Sequence, residues 1–303
     1  MQKHFALTLA LALVSLFSLS SHAQQDFSKV EIRSEALAGS VHMLTGDGGN
    51  LALSIGDDGA FLVDDQFAPL SARIKAAIAT ISRKPVRFVL NTHWHGDHTG
   101  GNESFGRAGS VIVAHENVRR RMSVEQLSEF AKQPIPASPR AALPVVTFAG
   151  DIVFHLNGDE IHAFHVPHAH TDGDAVVHFR RANVVHLGDV FFNKLYPFID
   201  VGSGGTVAGT LAAVDQVLAM VGDDTKIVPG HGPLATRADL LAYRRMLATV
   251  QERVQALVRE GRSLQDAVAA RPTAEFDEAW GNGFLKPEQF LAVLWKDLGP
   301  PAK

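Results

Sequence analysis

The sequence predicts a layered α/β fold in which β-sheets carry helices on their outer faces. Short apolar runs typical of strands alternate with segments of helical periodicity through most of the chain. The strand-like runs form two groups, one before and one after a proline-rich stretch at residues 134–144, and the chain becomes helical from residue 235 onward. Strands and helices mixed in this way pack as layers around a shared core.

The first group contains five strand-like runs and begins with hairpins. Glycine-rich turn signals at residues 46–49 and 56–59 separate its first three runs. Helices are predicted at residues 70–81, where Leu70, Ile74 and Ile78 share one face, and at residues 115–130. The runs are residues 40–45, 50–55, 60–63, 86–90 and 110–114, and residues 24–38 before them read as a loose lead-in.

The second group contains six strand-like runs and is followed by a helical tail. The prolines between the two groups predict a surface loop that borders the functional site. The tail, residues 235–303, is predicted to pack on the rest of the chain, and it offers no imidazole ligand because His231 is the last histidine. The strands are residues 145–148, 152–156, 160–166, 175–179, 184–187 and 226–228, and a helix covers 206–221. The apolar stripe of the tail comprises Leu240, Leu241, Leu247, Val250, Val254, Leu257 and Val258.

The first 23 residues have the pattern of a secretory signal peptide. Lys3 supplies the positive start, residues 5–19 are predominantly apolar, and small residues precede a cleavage point after Ala23. We therefore expect a periplasmic or secreted protein with no stable membrane anchor after cleavage. An uncleaved anchor is the alternative, although the apolar run is short for a bilayer span.

Composition narrows the partners and the chemistry. The formal net charge is −4, so the chain lacks the basic footprint of a nucleic-acid-binding protein, and we expect a small-molecule substrate. The chain has no cysteine, which excludes disulfides, thiolate metal ligands and a cysteine nucleophile. The 15 histidines are numerous and lie mostly between residues 93 and 186, which favours metal binding. Composition does not determine the oligomeric state.

The most informative stretch follows the predicted strand at residues 86–90. It places His93, His95, Asp97 and His98 within six residues, ahead of a glycine turn. Imidazole and carboxylate ligands together suit a divalent ion such as Zn²⁺. Ligands on a loop between two rigid elements are a common way to hold a metal. The alternative is a solvated histidine-rich loop, but such a loop would not require this particular spacing.

Three later stretches place potential ligands next to small residues at strand ends. They contain His170 followed by Thr171, Gly188 followed by Asp189, and His231 between two glycines. Each stretch is weak alone, since a Gly-Asp turn is common and a lone histidine is more often structural. The four motifs in this order resemble the metallo-β-lactamase superfamily from about residue 41 to residue 232.

The resemblance implies a fold and a set of ligands. The fold is a four-layer αβ/βα sandwich over residues 39–234, with the C-terminal helical segment packed on it. One metal would be held by His93, His95 and His170, and the other by Asp97, His98 and His231. Asp189 would bridge the two ions, which we expect to be Zn²⁺. Asp64 resembles the acid that orients a ligand histidine, Asp65 is an alternative for that role, and Asp174 is a weaker candidate.

The same ligand set bears on function. Superfamily β-lactamases with a thiolate ligand carry cysteine where this chain has Asp189, and the other dinuclear β-lactamases lack the bridging aspartate. The set is similar to that of glyoxalase II, lactonases and general hydrolases. It implies a secreted dinuclear zinc hydrolase in which a metal-bound hydroxide, oriented by Asp97, attacks an ester, lactone, thioester or cyclic amide. Two alternatives stay open: a β-lactamase, and a non-hydrolytic single-iron persulfide dioxygenase or metal-binding module. Iron and manganese stay open as the native metal.

Several residues near these motifs are candidates for contact with substrate. Asn193 and Lys194 could reach a substrate carboxylate, and His168 is expected at the rim of the site. Residues that could form an apolar wall are Phe191, Phe192, Tyr196 and Phe198, together with Trp280 and Phe284 of the tail. Ordinary core packing is the alternative for each of these aromatic side chains. The other strand histidines (His155, His162, His165, His178 and His186) are expected to be structural.

Overall fold

Two β-sheets packed face to face form the centre of the molecule. The structure is a computed structural model that describes residues 26–128 and 132–300. The predicted signal peptide, residues 1–23, lies outside the described residues. Within the described ranges, no helix combines the length and the apolar character that crossing a membrane requires.

The first sheet has seven strands in the order β1-β2-β3-β4-β5-β6-β9. Neighbours are antiparallel from β1 to β4 and parallel from β4 to β9. Its strands are β1 (Arg33–Ala38), β2 (Val41–Thr45), β3 (Leu51–Gly56), β4 (Gly59–Val63), β5 (Val86–Asn91), β6 (Val111–His115) and β9 (Val146–Phe148). The helices within this half are α1 (Ser71–Ile81), α2 (Gly96–Thr99), α3 (Asn102–Arg107) and α4 (Glu116–Met122).

The second sheet has five strands in the order β10-β11-β12-β13-β14. Among these five strands only β13 and β14 pair in parallel, and the connection between them includes a helix, as a parallel crossover usually does. Its strands are β10 (Asp151–Leu156), β11 (Asp159–His165), β12 (Ala175–Phe179), β13 (Val184–His186) and β14 (Lys226–Val228). The helices of this half are α5 (Val207–Met220), α6 (Arg237–Arg259), α7 (Leu264–Ala270), α8 (Asp277–Trp280) and α9 (Pro287–Leu298).

Apolar side chains separate four layers. One buried cluster, including Phe61, Leu90 and Val177, fills the space between the two sheets. A second cluster joins the outer face of the first sheet to α1 and α3, and a third joins the outer face of the second sheet to α5, α6 and α9. The predicted four-layer sandwich is confirmed. Burial of these faces is the main stabilising contribution, since each fully buried large aliphatic or aromatic side chain is worth about 1.5–3 kcal/mol.

The C-terminal helices share the third cluster with the second sheet. Helix α6 begins with a capping box in which the Thr236 hydroxyl accepts from the Asp239 backbone N–H and the Asp239 carboxylate accepts from the Thr236 backbone N–H. Leu240, Leu247, Val250 and Val254 of the predicted stripe are buried, whereas Leu241 is 40% exposed and lies off the stripe. The tail therefore packs through a narrower face than the sequence predicted.

Two local predictions were wrong. The expected lead-in ends earlier than predicted, because Arg33–Ala38 forms β1 and pairs with β2. The helix predicted at residues 115–130 ends at Met122, where the Ser123 hydroxyl donates to the Arg119 carbonyl. The chain then forms a hairpin of β7 (Gln126–Ser128) and β8 (Gln133–Ile135). Pairing with β8 overrides the helical pattern of this short segment.

Candidate metal centre

Seven imidazole and carboxylate side chains converge at one edge of the sandwich, where the two sheets meet. The segment 93–98 follows the end of β5, and Asp189 and His231 follow the ends of β13 and β14. His170 lies in the loop between β11 and β12. Strand ends from both sheets therefore supply the site, which fixes its geometry better than flexible loops would.

The first group consists of His93, His95, His170 and Asp189. Its potential ligand atoms lie within 4.8 Å of one another. His95 Nδ1 is 3.2 Å from His93 Nε2 and 2.9 Å from His170 Nε2. The Asp189 Oδ2 atom completes the group at 3.8 Å from His93 Nε2 and 3.6 Å from His170 Nε2. Ligands bound at ~2.0–2.1 Å to a tetrahedral zinc ion lie roughly 3.3 Å apart, so this spacing suits that ion.

The second group consists of Asp97, His98 and His231, with the other oxygen of Asp189 beside it. His231 Nε2 is 3.3 Å from Asp97 Oδ2 and 3.5 Å from His98 Nε2. Asp189 Oδ1 is 3.0 Å from His98 Nε2 and 3.4 Å from His231 Nε2. The two oxygens of Asp189 therefore face different groups, as a bridging carboxylate requires.

The chemistry of the donors fits a cation in each group. Asp189 Oδ1 is buried and accepts no hydrogen bond among the described residues. His98 Nδ1 is bonded to Asp64 Oδ2 at 2.7 Å, so Nε2 is the ring nitrogen that faces Asp189 Oδ1, at 3.0 Å. A carboxylate oxygen and an imidazole nitrogen in contact at a buried position need a positive charge between them, which a proton on the imidazole or a bound metal ion supplies. The residues present thus fit the metal pair that the sequence predicted.

Asp64 orients ligands of both groups from one buried position. Besides His98, its carboxylate accepts from the Thr92 backbone N–H at 2.7 Å and from the Thr92 hydroxyl at 2.8 Å. That hydroxyl lies 3.1 Å from His93 Nδ1 and can accept the proton of this nitrogen. Hydrogen bonds of this kind fix the tautomer and orientation of a ligand histidine. Asp65 instead accepts from the Gly101 backbone N–H at 2.8 Å.

Two further acceptors complete the support of the first group. His95 Nε2 donates to Asp200 Oδ2 at 2.9 Å, and His170 Nδ1 donates to the Phe198 carbonyl at 2.7 Å. Asp200 is held in turn by the Ser203 hydroxyl and backbone N–H. Each imidazole of the first group therefore has its outer ring nitrogen bonded and its inner nitrogen directed at the group.

Electrostatics differ between the two groups. Burial lowers the pKa of His93 well below its usual range and that of His170 to about 4, so these imidazoles are uncharged at neutral pH, as metal ligands must be. In the second group burial is outweighed by carboxylates: Asp189 and Asp97 raise the pKa of His98 well above its usual range, and they raise that of His231 to about 9. Conversely, His98 and His231 outweigh burial and lower the pKa of Asp97 to about 2. A metal ion bound in the second group would therefore displace protons from these two imidazoles.

Some candidate residues lie away from the site. His168 is exposed, with its Nδ1 bonded to the Gly204 carbonyl. Lys194 is exposed, and the amide of the buried Asn193 donates to the Pro233 carbonyl. Asp174 accepts from the Thr171 backbone and hydroxyl and so holds the chain next to His170. None of these side chains is among the described residues that line the adjoining cavity.

A cavity of about 510 Å³ opens onto both groups. Phe192, Phe198 and Phe284 line it, whereas the other predicted aromatic residues are core residues. Tyr196 stacks on Phe290 at 4.5 Å, and Phe191 and Trp280 pack against Tyr243. Ile135 at the end of the hairpin also lines the cavity, so the proline-rich connection does border the site as predicted.

Sequence reasoning missed Thr92 and Asp200 as supports of the ligands. Thr92 adjoins a predicted ligand, so its hydroxyl could have been considered for this role. Asp200 lies 105 positions from His95 in sequence, and the only local signal is its cap-like spacing to Ser203. That spacing indicates a turn and gives no indication of a partner on another sheet.

Comparison with known proteins gives a consistent result. A family model described as the metallo-beta-lactamase superfamily matches residues 44–231. The hydroxyacylglutathione hydrolase of a Polaromonas species is 26% identical over 193 residues, which cover 61% of this chain and 66% of that protein. The 2,4-dinitroanisole O-demethylase subunit alpha of a Nocardioides species is 30% identical over 166 residues, which cover 52% and 46%. The chain thus spans about half to two thirds of these relatives.

Solved structures share the fold at low sequence identity. A metallo-beta-lactamase from Pontibacter korlensis has a TM-score of 0.59 at 20% identity, covering 72% of this chain and 99% of that one. A sec-alkylsulfatase from a Pseudomonas species has a TM-score of 0.63 at 19% identity, covering 88% and 50%. At this identity the similarity shows the fold alone.

Proposed function

This chain belongs to the metallo-β-lactamase superfamily, and from that premise we propose that it is a hydrolase dependent on two divalent metal ions, with zinc as the metal. One observation carries the proposal: Asp189 directs one oxygen to each of two ligand groups. A single-iron dioxygenase or a simple metal-binding module would not need Asp97, His98 and His231 as a second set of donors.

The donor set supports zinc as the metal. Five histidines and two aspartates supply nitrogen and oxygen atoms, which suit a borderline ion. Bound in the two groups, such ions would supply a water of lowered pKa and a Lewis acid for a carbonyl oxygen. No serine or cysteine nucleophile is then needed, and no covalent intermediate is expected.

The side chains of the protein would perform the remaining work. Asp97 lines the cavity and stays ionised, so it can orient the attacking water and receive its proton. Asp64 and Asp200 keep the ligand imidazoles in the correct tautomer. The substrate class that fits is a carbonyl compound with a cleavable C–O, C–S or C–N bond: an ester, lactone, thioester or cyclic amide. The two relatives are named hydroxyacylglutathione hydrolase and 2,4-dinitroanisole O-demethylase subunit alpha; the first name supports a hydrolytic site, and the difference between the two supports variable substrates.

Metal analysis and a substrate panel test the proposal together. The protein is purified without chelator, and its metals are counted by mass spectrometry before and after zinc titration. We expect two zinc ions per chain, together with turnover of at least one member of a panel of esters, lactones, thioesters and β-lactams. One iron per chain, or no turnover of any member with two zinc ions bound, would contradict the proposal. Turnover confined to β-lactams would favour the β-lactamase alternative.

We further propose that the protein is exported and that residues 1–23 are removed. The support is the sequence pattern alone: a basic start, an apolar run and small residues ending at Ala23, the last residue before the cleavage point. N-terminal sequencing of the protein from a periplasmic extract should begin at Gln24. A periplasmic product that starts at Met1 would refute the cleavage.

A further inference from the structure

Aromatic and aliphatic side chains form much of the cavity wall beside the two ligand groups. Six of its lining side chains are aromatic or aliphatic: Phe67, Trp94, Ile135, Phe192, Phe198 and Phe284. They come from separate loops and from the C-terminal segment. The volume of about 510 Å³ is in the range of cavities that enclose a small organic molecule.

The aromatic rings flank both groups. Next to the first group, the Trp94 and Phe198 rings lie 4.8 and 6.2 Å from the His95 ring. Next to the second group, Phe192 stacks on His231 at 5.2 Å, and Phe284 lies 6.2 Å from the same imidazole. A carbonyl placed between the groups therefore has aromatic surface on either side. Both the acyl part and the leaving part of the substrate would contact apolar walls.

The charged side chains that line the cavity are acids and two imidazoles. They are Asp47, Asp97, Asp189, Asp200, His95 and His231, and the described lining residues include no lysine or arginine. Lys194, the basic residue nearest in sequence to the Phe192 wall, is exposed and outside the lining. A carboxylate held away from the metal ions would lose its hydration without gaining a cationic partner.

We propose that the site takes uncharged esters or lactones with apolar groups on both sides of the cleaved bond, and that it discriminates against substrates with a distal carboxylate. This inference rests on the proposed function and narrows its substrate class. Glutathione thioesters carry such carboxylates, so they are expected to be poor substrates.

The test compares two esters that differ only at the far end of the acyl chain. 4-Nitrophenyl hexanoate ends in a methyl group, and mono-4-nitrophenyl adipate has the same number of acyl carbons but ends in a carboxylate. With the uncatalysed rates subtracted, the zinc-loaded protein should show a kcat/KM at least about tenfold higher for the hexanoate, because the charged end is desolvated without a partner. Equal values, or a preference for the adipate, would overturn the inference.

Variants at the mouth of the cavity sharpen the comparison. Phe284→Arg places a cation where an aromatic ring is 46% exposed, and it should shift the ratio of the two kcat/KM values towards the adipate by roughly fivefold, the scale of an exposed ion pair. Leu241→Ala, at a residue of similar exposure outside the cavity, is the matched control and should leave the ratio unchanged. An unchanged ratio in Phe284→Arg would count against a substrate position beside this ring.

A binding measurement tests the preference of the cavity for uncharged molecules independently of hydrolysis. The ketone 4-phenylbutan-2-one and its para-carboxylated analogue cannot be hydrolysed. In NMR titrations of the zinc-loaded protein, the neutral ketone should bind at least about tenfold more tightly, for the same desolvation reason. If no ester, lactone or thioester is turned over but this preference holds, the proposed function fails and the inference about the cavity stands. Equal affinities would overturn the inference whatever the turnover.

Discussion

Asp200→Asn should selectively weaken one of the two metal groups. Asp200 Oδ2 accepts from His95 Nε2 and from the Ser203 hydroxyl, while Oδ1 accepts from the Ser203 backbone N–H. An asparagine keeps its oxygen towards the backbone N–H, because that donor cannot reverse. Its amide nitrogen then faces His95 Nε2, and the Ser203 hydroxyl can turn to accept from it. His95 must move its proton to Nδ1 to avoid two opposed donors.

The expected loss of zinc affinity follows from the position of that proton on the His95 ring. Nδ1 is the atom that points into the first group, 3.2 Å from His93 Nε2 and 2.9 Å from His170 Nε2. To bind zinc through Nδ1, His95 must return its proton to Nε2, where the N–H then faces the amide N–H of the new asparagine and has no acceptor. Leaving this N–H unpaired costs about 1–3 kcal/mol. We therefore expect roughly 10- to 100-fold weaker binding of one zinc ion, in the range known for partners of ligand histidines.

The assay is a zinc titration against a competing chelator that resolves both binding steps. One step should weaken in Asp200→Asn while the other stays within a few-fold of the wild-type value. Asp215→Asn is the matched control, because this carboxylate lies on the surface and pairs with Arg244. Two wild-type binding steps in Asp200→Asn would refute the reasoning about the tautomer. Loss of both steps would show that Asp200 supports the fold of the whole site.

The remaining predictions concern the bridge, its surroundings and pH. Asp189→Ala should release both zinc ions together and lower kcat by at least about 100-fold, because each group loses a ligand and the charge between the ions. Metal counts and initial rates check this, with His168→Ala as the control, since His168 is exposed and lies outside the cavity lining. Gly230→Ala should also lower zinc content, since a Cβ there would overlap Asp189 Oδ1, and a variant that retains two tightly bound zinc ions would contradict the steric reason. Protein stripped of metal should be most stable near pH 6.5, as followed by calorimetric melting temperatures. The pKa of His231 is raised to about 9, so the stability that its protonation contributes is complete below pH 6.5 and is lost as the pH rises through 9. The pKa of His170 is lowered to about 4, so the folded chain loses stability as the pH drops from 6.5 towards 4. A melting temperature that stays constant between pH 6.5 and 9 would contradict the first assignment.

The sequence predicted which candidate ligands the structure brings together, but it did not predict the residues that support them. His93, His95, Asp97 and His98 are adjacent in the chain, so their convergence needs only one loop. The three distant candidates, His170, Asp189 and His231, follow strands, and the resemblance gives their order along the chain. Which ring nitrogen faces the groups depends on Asp64, Asp200 and the Phe198 carbonyl, and these contacts exist only after the sheets have packed.

The errors in secondary structure have a similar origin. The helix predicted at residues 115–130 stops after Met122 because the following residues pair with β8, a contact that periodicity within one segment cannot reveal. The strand Arg33–Ala38 has a polar, largely exposed surface and was mistaken for a lead-in, since only its pairing with β2 defines it. Tertiary pairing outweighs local propensity most easily in such short segments.

The candidate metal ligands and the walls of the cavity come from different parts of the fold. The ligand motif therefore predicts the type of chemistry but does not predict the substrate. The ligands lie at strand ends of the two sheets, so packing of the sandwich positions them directly. The walls come from four other segments. Gly48 belongs to the β2–β3 loop, Ile135 to the hairpin, Phe198 to the segment after Asp189 and Phe284 to the C-terminal tail. These segments are remote from one another in sequence and lie outside the core between the sheets, although the segment after Asp189 also supports His95 and His170 through Asp200 and the Phe198 carbonyl. The described lining of this cavity is rich in aromatic side chains and includes no lysine or arginine, and under our proposal it limits the substrate in a way that the ligand motif cannot.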